Sequence, residues 1–344
     1  MDVKLTQYSH GAGCGCKISP EVLSSILDFA GPRMNHPHLL VGNHNKDDAA
    51  VYEIDNDNVV ISTTDFFMPI VDEPEAFGRI SSVNAISDIY AMGGKPIMAI
   101  AILGWPINEL PAEVAGRVLK GAQGACADAG IPLAGGHSID APEPIFGLAV
   151  TGMAKKQNVK ANATAQAGAK LFLTKPLGVG IVTTAQKRGV AQDAHIEAVQ
   201  QQMGTLNDVG FTLGQLEGVQ AMTDVTGFGL GGHLLEMCEG SNVAANIRFS
   251  ELPILEFLPT YLEQKTFPGG TQRNFASYGD KISGISDIQK AVVCDPQTSG
   301  GLLVAVSPHQ EAAFMAITRK AGLELASFGE LVAYDGGPHL RVSA

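Results

Sequence analysis

The apolar pattern of this chain fades at one place, and that break predicts its domain organisation. Residues 155–167 are mostly Lys, Asn, Gln, Thr and Ala, whereas the segments on both sides contain apolar runs. The chain has 344 residues, of which 45% are hydrophobic, and one hydrophobic core rarely serves more than about 250–300 residues. We therefore predict two domains of mixed helix and strand.

The first half contains helix and strand patterns in alternation. Ser19, Pro20 and Glu21 form a typical helix start, with a capping side chain, a proline in the first turn and an acid near the positive end. Gly31 and Gly93 lie where two of the helical patterns end. The sequence predicts helices over 20–30, 74–92 and 112–130, and strands over 59–64, 96–103, 131–134 and 145–153.

The second half has the same mixed character. Apolar, β-branched runs predict strands over 170–174, 219–222, 302–306 and 325–332. Helical periodicity predicts two long helices, over 191–216 and 229–238.

A glycine-rich run at residues 11–17, here called the thiol loop, is the most specific chemical signal. It places Cys14, Cys16 and Lys17 within four positions, among glycines that disfavour a stable helix or strand. A thiolate is a nucleophile and a soft ligand, and a nearby lysine lowers the pKa of a thiol. The alternative is a frayed terminus with incidental cysteines.

The other cysteines predict no disulfide framework. The chain has five cysteines, an odd number, and only the first two are close together. Cys126, Cys238 and Cys294 lie in apolar segments, where reduced cysteine usually packs in the core. The spacing of Cys14 and Cys16 is too tight for a common zinc pair.

Aspartates at the ends of apolar runs are the second chemical signal. Asp47 and Asp48 precede a strand, and Asp224 follows one. On the predicted helix over 74–92, Asn84 and Asp88 share one face. Because Mg²⁺ is usually held by a few carboxylates and substrate phosphates, these acids predict a metal-nucleotide site. Helix capping, turn formation and an ordinary amphipathic surface helix are the structural alternatives.

Two glycine motifs bear on nucleotide binding. The sequence has no P-loop motif, and residues 227–232 match the dinucleotide fingerprint only weakly because Asp224 and Thr226 crowd its approach. Residues 135–138 follow a predicted strand and would let backbone N–H groups approach phosphate oxygens, or form a tight turn. We interpret residues 295–301 as a structural turn.

Charge and hydropathy exclude several function classes. The formal net charge is −12, which argues against general binding to nucleic acid or anionic membranes. The first residues lack a signal-peptide pattern, and no window approaches the length of a membrane span. We expect a cytoplasmic enzyme.

Taken together, these motifs resemble the selenophosphate synthetase family. The matching segments span nearly the whole chain and comprise residues 5–17, 45–51, 62–69, 87–100, 135–152, 222–229 and 294–303. The nucleotide half is similar to a wider superfamily that includes aminoimidazole ribonucleotide synthetase and thiamine-monophosphate kinase. The resemblance implies a two-domain α/β fold of that type. Its implied parts are a flexible catalytic loop over 1–18, an ATP- and Mg-binding dimerisation domain over 19–156, and a C-terminal α/β domain over 157–344.

The resemblance also implies a reaction, in which ATP, selenide and water give selenophosphate, AMP and orthophosphate. The product would be the selenium donor for selenocysteine and selenouridine synthesis. A homodimer would form through the N-terminal sheets, several Mg²⁺ ions would bind with ATP, and a requirement for a monovalent cation such as K⁺ stays open.

The same resemblance implies residue roles. Cys14 and Lys17 are implied to be catalytic, and Asp48, Asp88 and Asp224 are implied to hold the magnesium. The implied nucleotide contacts are Lys17, Asn45, Lys46, Asp47, Asp65 and Asp88, with Gly136, His137 and Ser138 of the partner subunit.

Two alternatives come from other classes. A soft-metal or redox carrier would explain the thiols but not the distributed aspartates. Another ATP-dependent synthetase or kinase of the same superfamily would explain the aspartates but not Cys14 and Cys16.

Overall fold

The computed structural model describes residues 3–18, 20–29, 36–42 and 47–344 of the chain. In the N-terminal segment, two single turns of 3-10 helix, Leu5–Tyr8 and Gly13–Cys16, precede helix α1, Pro20–Phe29. Helix α1 matches the predicted helix, whose flanking residues Ser19 and Ala30 lie outside the described residues. The glycine-rich thiol loop thus forms one short turn.

Six strands form the N-terminal sheet, in the order β1-β2-β3-β6-β4-β5. They are Leu39–Val41 (β1), Ala50–Glu53 (β2), Asn58–Phe67 (β3), Lys95–Trp105 (β4), Leu133–Asp140 (β5) and Ile145–Lys155 (β6). Neighbouring strands are antiparallel except β4 and β5, which are parallel.

Two strands of this sheet differ from the prediction. Strand β3 does not end at Asp65, because its pairing with β6 continues to Phe67. Residues 135–138 lie within β5 and not in a turn after it, because Gly136 pairs with Ala101 of β4. Asp65 and His137 are therefore held on strands.

Helices α2, Pro74–Ala91, and α3, Ala112–Asp128, belong to the N-terminal domain. The Glu73 side chain caps α2 by accepting hydrogen bonds from the N–H groups of Glu75 and Ala76. Helix α2 is buried along most of its length, because it packs on the N-terminal sheet and also contacts the C-terminal domain. The alternative of an amphipathic surface helix is therefore wrong.

Seven strands form the C-terminal sheet, in the order β10-β13-β9-β12-β7-β11-β8. They are Lys170–Leu173 (β7), Val219–Asp224 (β8), Val243–Arg248 (β9), Ile282–Ser283 (β10), Leu302–Val306 (β11), Gly329–Ala333 (β12) and Leu340–Ser343 (β13). The predicted strand over 325–332 begins only at Gly329, where its pairing with β9 starts.

The C-terminal helices confirm the predicted mixed architecture but correct one element. They are Val179–Lys187 (α4), Asp193–Met203 (α5), Val209–Gly214 (α6), Gly229–Ser241 (α7), Leu258–Glu263 (α8), Gly269–Tyr278 (α9), Asp287–Val293 (α10) and Glu311–Lys320 (α11). The predicted helix over 191–216 is broken between α5 and α6. There the buried Asn207 donates to Ser87 Oγ and to the Gly300 carbonyl, both at 2.8 Å.

One hydrophobic cluster extends across both domains. It includes Phe77 and Phe146 of the N-terminal domain and Leu171 and Tyr261 of the C-terminal domain. The seam between the domains is therefore packed, and side chains that meet there have fixed positions. Within the described ranges, no helix is both long and apolar enough to cross a membrane.

Candidate active site

Three aspartates meet at the seam between the domains. Asp48 precedes β2, Asp88 lies on α2, and Asp224 ends β8. One carboxylate oxygen from each lies within 4.8 Å of those from the other two. The Oδ2 atoms of Asp48 and Asp224 are buried and have no hydrogen-bond partner among the residues described. Buried carboxylate oxygens without donors fit a bound cation.

The electrostatics of this cluster favour the same interpretation. Burial raises the pKa of Asp48 and Asp88 well above their ordinary range, and neighbouring carboxylates add to the rise. Burial likewise raises the pKa of Asp224 to about 6. Thr63 donates to Asp88 Oδ2 at 2.5 Å, and Thr223 donates to Asp48 Oδ1 at 2.8 Å. A divalent cation would offset the burial and the repulsion, and the all-oxygen donor set suits Mg²⁺.

The thiol of Cys14 is buried at the same seam, with 2% of the residue exposed. Its Sγ donates to Asn84 Oδ1 at 3.2 Å, and its backbone N–H donates to Thr298 Oγ1 at 3.1 Å. Burial raises the pKa of Cys14 well above its ordinary value and outweighs the lowering by Lys17. The expectation of a lowered thiol pKa is wrong for this arrangement, in which Cys14 is a neutral thiol.

Lys17 lies at the mouth of a cavity of about 250 Å³ that Cys14 and Asp65 also line. Its Nζ is 3.4 Å from Thr226 Oγ1 and 5.9 Å from the ring centroid of Phe228. The Asp65 carboxylate raises the pKa of Lys17 above its ordinary value. A permanently charged ammonium therefore stands beside the aspartate cluster, where it can bind a phosphate group.

Asn84 connects three parts of the site. Its Nδ2 donates to Asp65 Oδ2 at 2.6 Å, and its Oδ1 accepts the Ser299 N–H at 2.8 Å as well as the Cys14 thiol. These partners come from β3, from the turn over 295–301 and from the thiol loop. The position of the thiol therefore depends on both domains.

A hydrogen-bonded series underlies Lys17. The Thr226 N–H donates to His233 Nε2 at 3.1 Å, and the Thr226 hydroxyl lies 3.2 Å from the same nitrogen. His233 Nδ1 lies 3.5 Å from Glu236 Oε2. Burial lowers the pKa of His233 to about 3, so the ring is neutral and its proton faces Glu236. The single lone pair of Nε2 therefore accepts the Thr226 N–H, and the Thr226 hydroxyl oxygen accepts from the Lys17 ammonium.

The glycine run at 227–232 receives the thiol loop. A β-carbon at Gly227 would lie 2.4 Å from the Cys14 carbonyl oxygen, so only glycine allows this approach of the two backbones. The Asn274 amide fixes the Gly227 carbonyl by donating to it at 2.9 Å. The glycines that resemble a dinucleotide fingerprint therefore form the surface on which the thiol loop packs.

The remaining predicted residues are placed as follows. Asp47 Oδ1 accepts the Asn162 N–H at 2.7 Å, whereas Asn45 and Lys46 lie outside the described residues. Residues 136–138 are exposed on β5, at the edge of the N-terminal sheet. Two strands separate β5 from Asp65 on β3, a spacing of about 14 Å at three inter-strand distances.

The turn over 295–301 has a larger role than the sequence analysis gave it. As a structural element, Asp295 Oδ2 accepts the Gly180 N–H at 3.0 Å, at the start of α4. The same turn also holds the site through Thr298 and Ser299, which contact Cys14 and Asn84. The sequence signal for this role was the run of mostly polar residues 295–299, which follows Cys294.

Comparisons with known proteins show the fold class of the chain. Family models for AIR synthase related proteins match both halves, the N-terminal domain at residues 46–154 and the C-terminal domain at residues 166–339. A thiamine-monophosphate kinase from Stenotrophomonas maltophilia superposes with a TM-score of 0.67 at 18% identity, over 94% of each chain. The hydrogenase maturation protein HypE in complex with ATP gives a TM-score of 0.64 at 16% identity, over 90% of this chain and 88% of that chain. The chain therefore has the AIR synthase-like fold.

Relatives with much higher sequence identity show which family within this fold class the chain belongs to. A selenide, water dikinase from Aeromonas salmonicida is 59% identical over 340 residues, which are 99% of this chain and 99% of the relative. The enzyme of the same name from Pseudomonas aeruginosa is 59% identical over 330 residues, 96% of each chain. The chain belongs to the selenide, water dikinase family, as its thiol loop and aspartates predicted.

Proposed function

We propose that this chain converts ATP, selenide and water into selenophosphate, AMP and orthophosphate, as a cytoplasmic enzyme that supplies selenium for selenocysteine and selenouridine. The observation that carries the proposal is the meeting of Cys14, Lys17 and the aspartate cluster at one seam. A soft-metal or redox carrier needs no such group of carboxylates. A kinase for another small substrate needs no buried thiol beside them.

Asp48, Asp88 and Asp224 are proposed to hold several Mg²⁺ ions together with ATP. This assignment is supported by the oxygen-only donor set and by the Oδ2 atoms of Asp48 and Asp224, which have no hydrogen-bond partner among the described residues. When bound, Mg²⁺ would neutralise the charge that spreads over the phosphate oxygens during transfer. Omission of K⁺ from the same assays tests whether the reaction requires a monovalent cation.

Cys14 and Lys17 are proposed to be the catalytic residues. Phosphoryl transfer depends mainly on positioning and on neutralising negative charge, and the Lys17 ammonium can bind the γ-phosphate from its place beside Thr226. The buried sulfur of Cys14 suits a soft selenium atom. With the thiol loop seated, its backbone covers the site and limits the access of water, which competes with selenide as a nucleophile.

The other nucleotide contacts are proposed from both subunits. Within one chain, Lys17, Asn45, Lys46, Asp47, Asp65 and Asp88 would face ATP. Gly136, His137 and Ser138 of the partner subunit would complete the site, since β5 is an exposed edge strand.

The chain is proposed to divide into three functional parts. These are a catalytic loop, residues 1–18, an N-terminal domain, 19–156, and a C-terminal domain, 157–344.

A second copy of the chain is the proposed occupant of the exposed side of the N-terminal sheet. Large apolar residues on this sheet are open to solvent, including Ile97, Met98 and Ile100 on β4 and Ile139 on β5, which is 59% exposed. Such a patch is typical of a protein interface. Ile100→Asp should shift the protein toward monomer in light scattering, whereas Ile288→Asp, at an exposed position on α10, should not.

Phosphorus NMR of the purified protein with ATP, Mg²⁺ and selenide under strict reduction tests the reaction. We expect a selenium-bonded phosphorus signal together with AMP and orthophosphate. ATP turnover without the selenium-bonded signal would indicate a kinase for another substrate. No turnover at all, with selenide bound, would indicate a carrier.

A further inference from the structure

A cleft lies beside the thiol loop, and none of the three clustered aspartates lines it. It consists of two adjoining hollows of about 530 and 290 Å³ that share Ala12, Ile70 and Lys187 among their lining residues. The N-terminal segment forms one wall, and helices α4 and α9 contribute to the other. The mechanism proposed above assigns no role to this cleft.

The smaller hollow is strongly basic. Lys187, Arg188 and Arg273 line it, and no carboxylate does. The chain as a whole carries a net charge of −12, so these cations form a local exception. Lys187 is exposed and has no ion pair or side-chain hydrogen bond among the residues that the structure describes, so its charge is available to a ligand. A concentration of one charge sign in a cleft attracts counter-charged ligands.

The start of helix α9 adds to the positive potential. Its first two residues are Gly269 and Gly270, both of which line the hollow, and no side chain caps this end of the helix. Glycine leaves the backbone N–H groups open to a ligand, and the helix dipole favours an anion there. This helix end supplements the three side-chain charges.

The hollow borders the turn that carries Cys14, although Cys14 itself does not line it. Arg273 Nη2 donates to the Gly15 carbonyl at 3.0 Å. Thr298 lines the hollow and accepts the Cys14 N–H at 3.1 Å. The Gly13 side of the turn is filled, because a β-carbon there would lie 2.4 Å from Thr298 Oγ1, whereas a β-carbon at Gly15 would meet its nearest neighbour, Pro296, only at 3.8 Å. The Gly15 side is therefore the less crowded approach to the thiol. A small ligand in the hollow therefore lies beside the turn that carries the thiol, next to Gly15 and Thr298.

We propose that this basic cleft binds hydroselenide and is its route to Cys14 while the nucleotide occupies the aspartate cluster. The inference rests on the proposed function, which makes selenide a substrate. Selenide is a small monoanion at neutral pH, and its attraction to Lys187, Arg188 and Arg273 needs no specific hydrogen-bond pattern. With ATP and Mg²⁺ at the aspartates, the phosphates would repel a second anion that approaches from their side. Entry through the cleft avoids that repulsion.

Kinetics of full-length variants test the proposal. Lys187→Gln changes an exposed side chain that has no partner within the described ranges, and Arg273→Gln removes the contact with the loop as well. We expect Lys187→Gln to raise the KM for selenide roughly threefold to tenfold at low salt, with kcat and the KM for ATP unchanged. Added salt should raise the KM of the wild type toward that of the variant. Lys320→Gln, exposed at the end of α11, is the matched control.

The outcomes separate this inference from the function on which it rests. If no variant and no wild-type protein forms selenophosphate, the proposed function fails. If selenophosphate forms with the same KM for selenide in Lys187→Gln, Arg273→Gln and the wild type, the cleft is not the selenide route. The inference is also overturned if the variants change only inhibition by orthophosphate, because the cleft would then serve the released product.

Discussion

The Sγ atom of Cys14 lies 3.2 Å from Oδ1 of Asn84, an oxygen that the backbone of Ser299 also contacts at 2.8 Å. The thiol comes from the N-terminal segment, Asn84 from the long helix of the N-terminal domain, and Ser299 from the C-terminal domain. Both hydrogen bonds to this one amide oxygen form only when the thiol loop and the two domains hold these relative positions. The hydrogen bond also shows the thiol in its protonated form, in keeping with the effect of burial on the pKa of Cys14.

Cys14→Ser should abolish selenophosphate formation, whereas Cys16→Ser should retain substantial activity. A serine hydroxyl can keep the hydrogen bond to Asn84, so the loop should still seat, but oxygen does not replace a soft sulfur toward selenium. We expect turnover to fall by about a hundredfold or more in Cys14→Ser, measured as AMP release with selenide. Binding of a non-hydrolysable ATP analogue should be unchanged. Equal loss in both variants would indicate a functional dithiol.

Replacing any one of Asp48, Asp88 and Asp224 by Asn should weaken Mg²⁺-dependent nucleotide binding by at least about tenfold, since even the partners of metal ligands contribute that much. Because the oxygens of all three lie within 4.8 Å, double variants should lose less than the sum of the single losses. Calorimetry with the ATP analogue measures both. Asp57→Asn, on the exposed turn before β3, is the control. Additive losses would contradict a shared metal site.

Lys17→Ala should bind the metal nucleotide almost normally and yet lose about a hundredfold to a thousandfold in turnover. Its ammonium acts chiefly as charge develops on the transferred phosphoryl group. The aspartates that hold the metal are untouched by the change. Fluorescence titration with the ATP analogue gives the binding constant, and a phosphate release assay gives the turnover. A parallel loss of binding and turnover would mean that Lys17 stabilises bound ATP as much as it stabilises the transition state.

The N-terminal segment should become more protected when nucleotide binds. Phosphates with Mg²⁺ give Lys17 a charge partner, so the seated loop gains population if the ligand binds that state more tightly. Limited proteolysis with and without the ATP analogue and Mg²⁺ measures this. Cleavage within residues 3–18 at the same rate in both conditions would mean that the loop is a fixed element.

Local patterns explain why much of the fold was predictable. Strand ends and glycine stops are encoded within a few residues, and they located α2, α7 and β11. The break between α5 and α6 was missed, because it depends on Asn207, whose partners Ser87 and Gly300 lie about a hundred residues away or more. Periodicity carries no information on such contacts.

The candidate site was likewise predictable only in its local features. The acids and thiols were recognisable by type, but their environments were not. Burial reverses the expected direction of the pKa shift at Cys14, and burial is a property of the folded chain. The threonines at 63, 223, 226 and 298 were not identified as site residues, since their roles depend on partners from distant segments.

His233 supplies a test that is sensitive to pH. In the unfolded chain a histidine takes up a proton near pH 6.5, whereas burial lowers the pKa of His233 in the fold to about 3. Between these two values the unfolded state binds the extra proton, so stability falls as the pH falls from 6.5 toward 3. This group adds up to about 1.4 kcal/mol per pH unit to the slope.

His233→Gln should therefore make the acid side of the stability profile shallower. The variant loses the buried imidazole and should be less stable at pH 7.5, but its urea midpoint should fall less steeply than that of the wild type between pH 6.5 and 4. Glutamine can still accept the Thr226 N–H, so turnover should fall less than in His233→Ala, where the buried Thr226 N–H loses its acceptor. His309→Gln, at an exposed position, should leave both the slope and the turnover unchanged. Parallel pH profiles for His233→Gln and the wild type would show that the fold does not lower the pKa of His233, and the buried neutral acceptor beneath Thr226 would have to be abandoned.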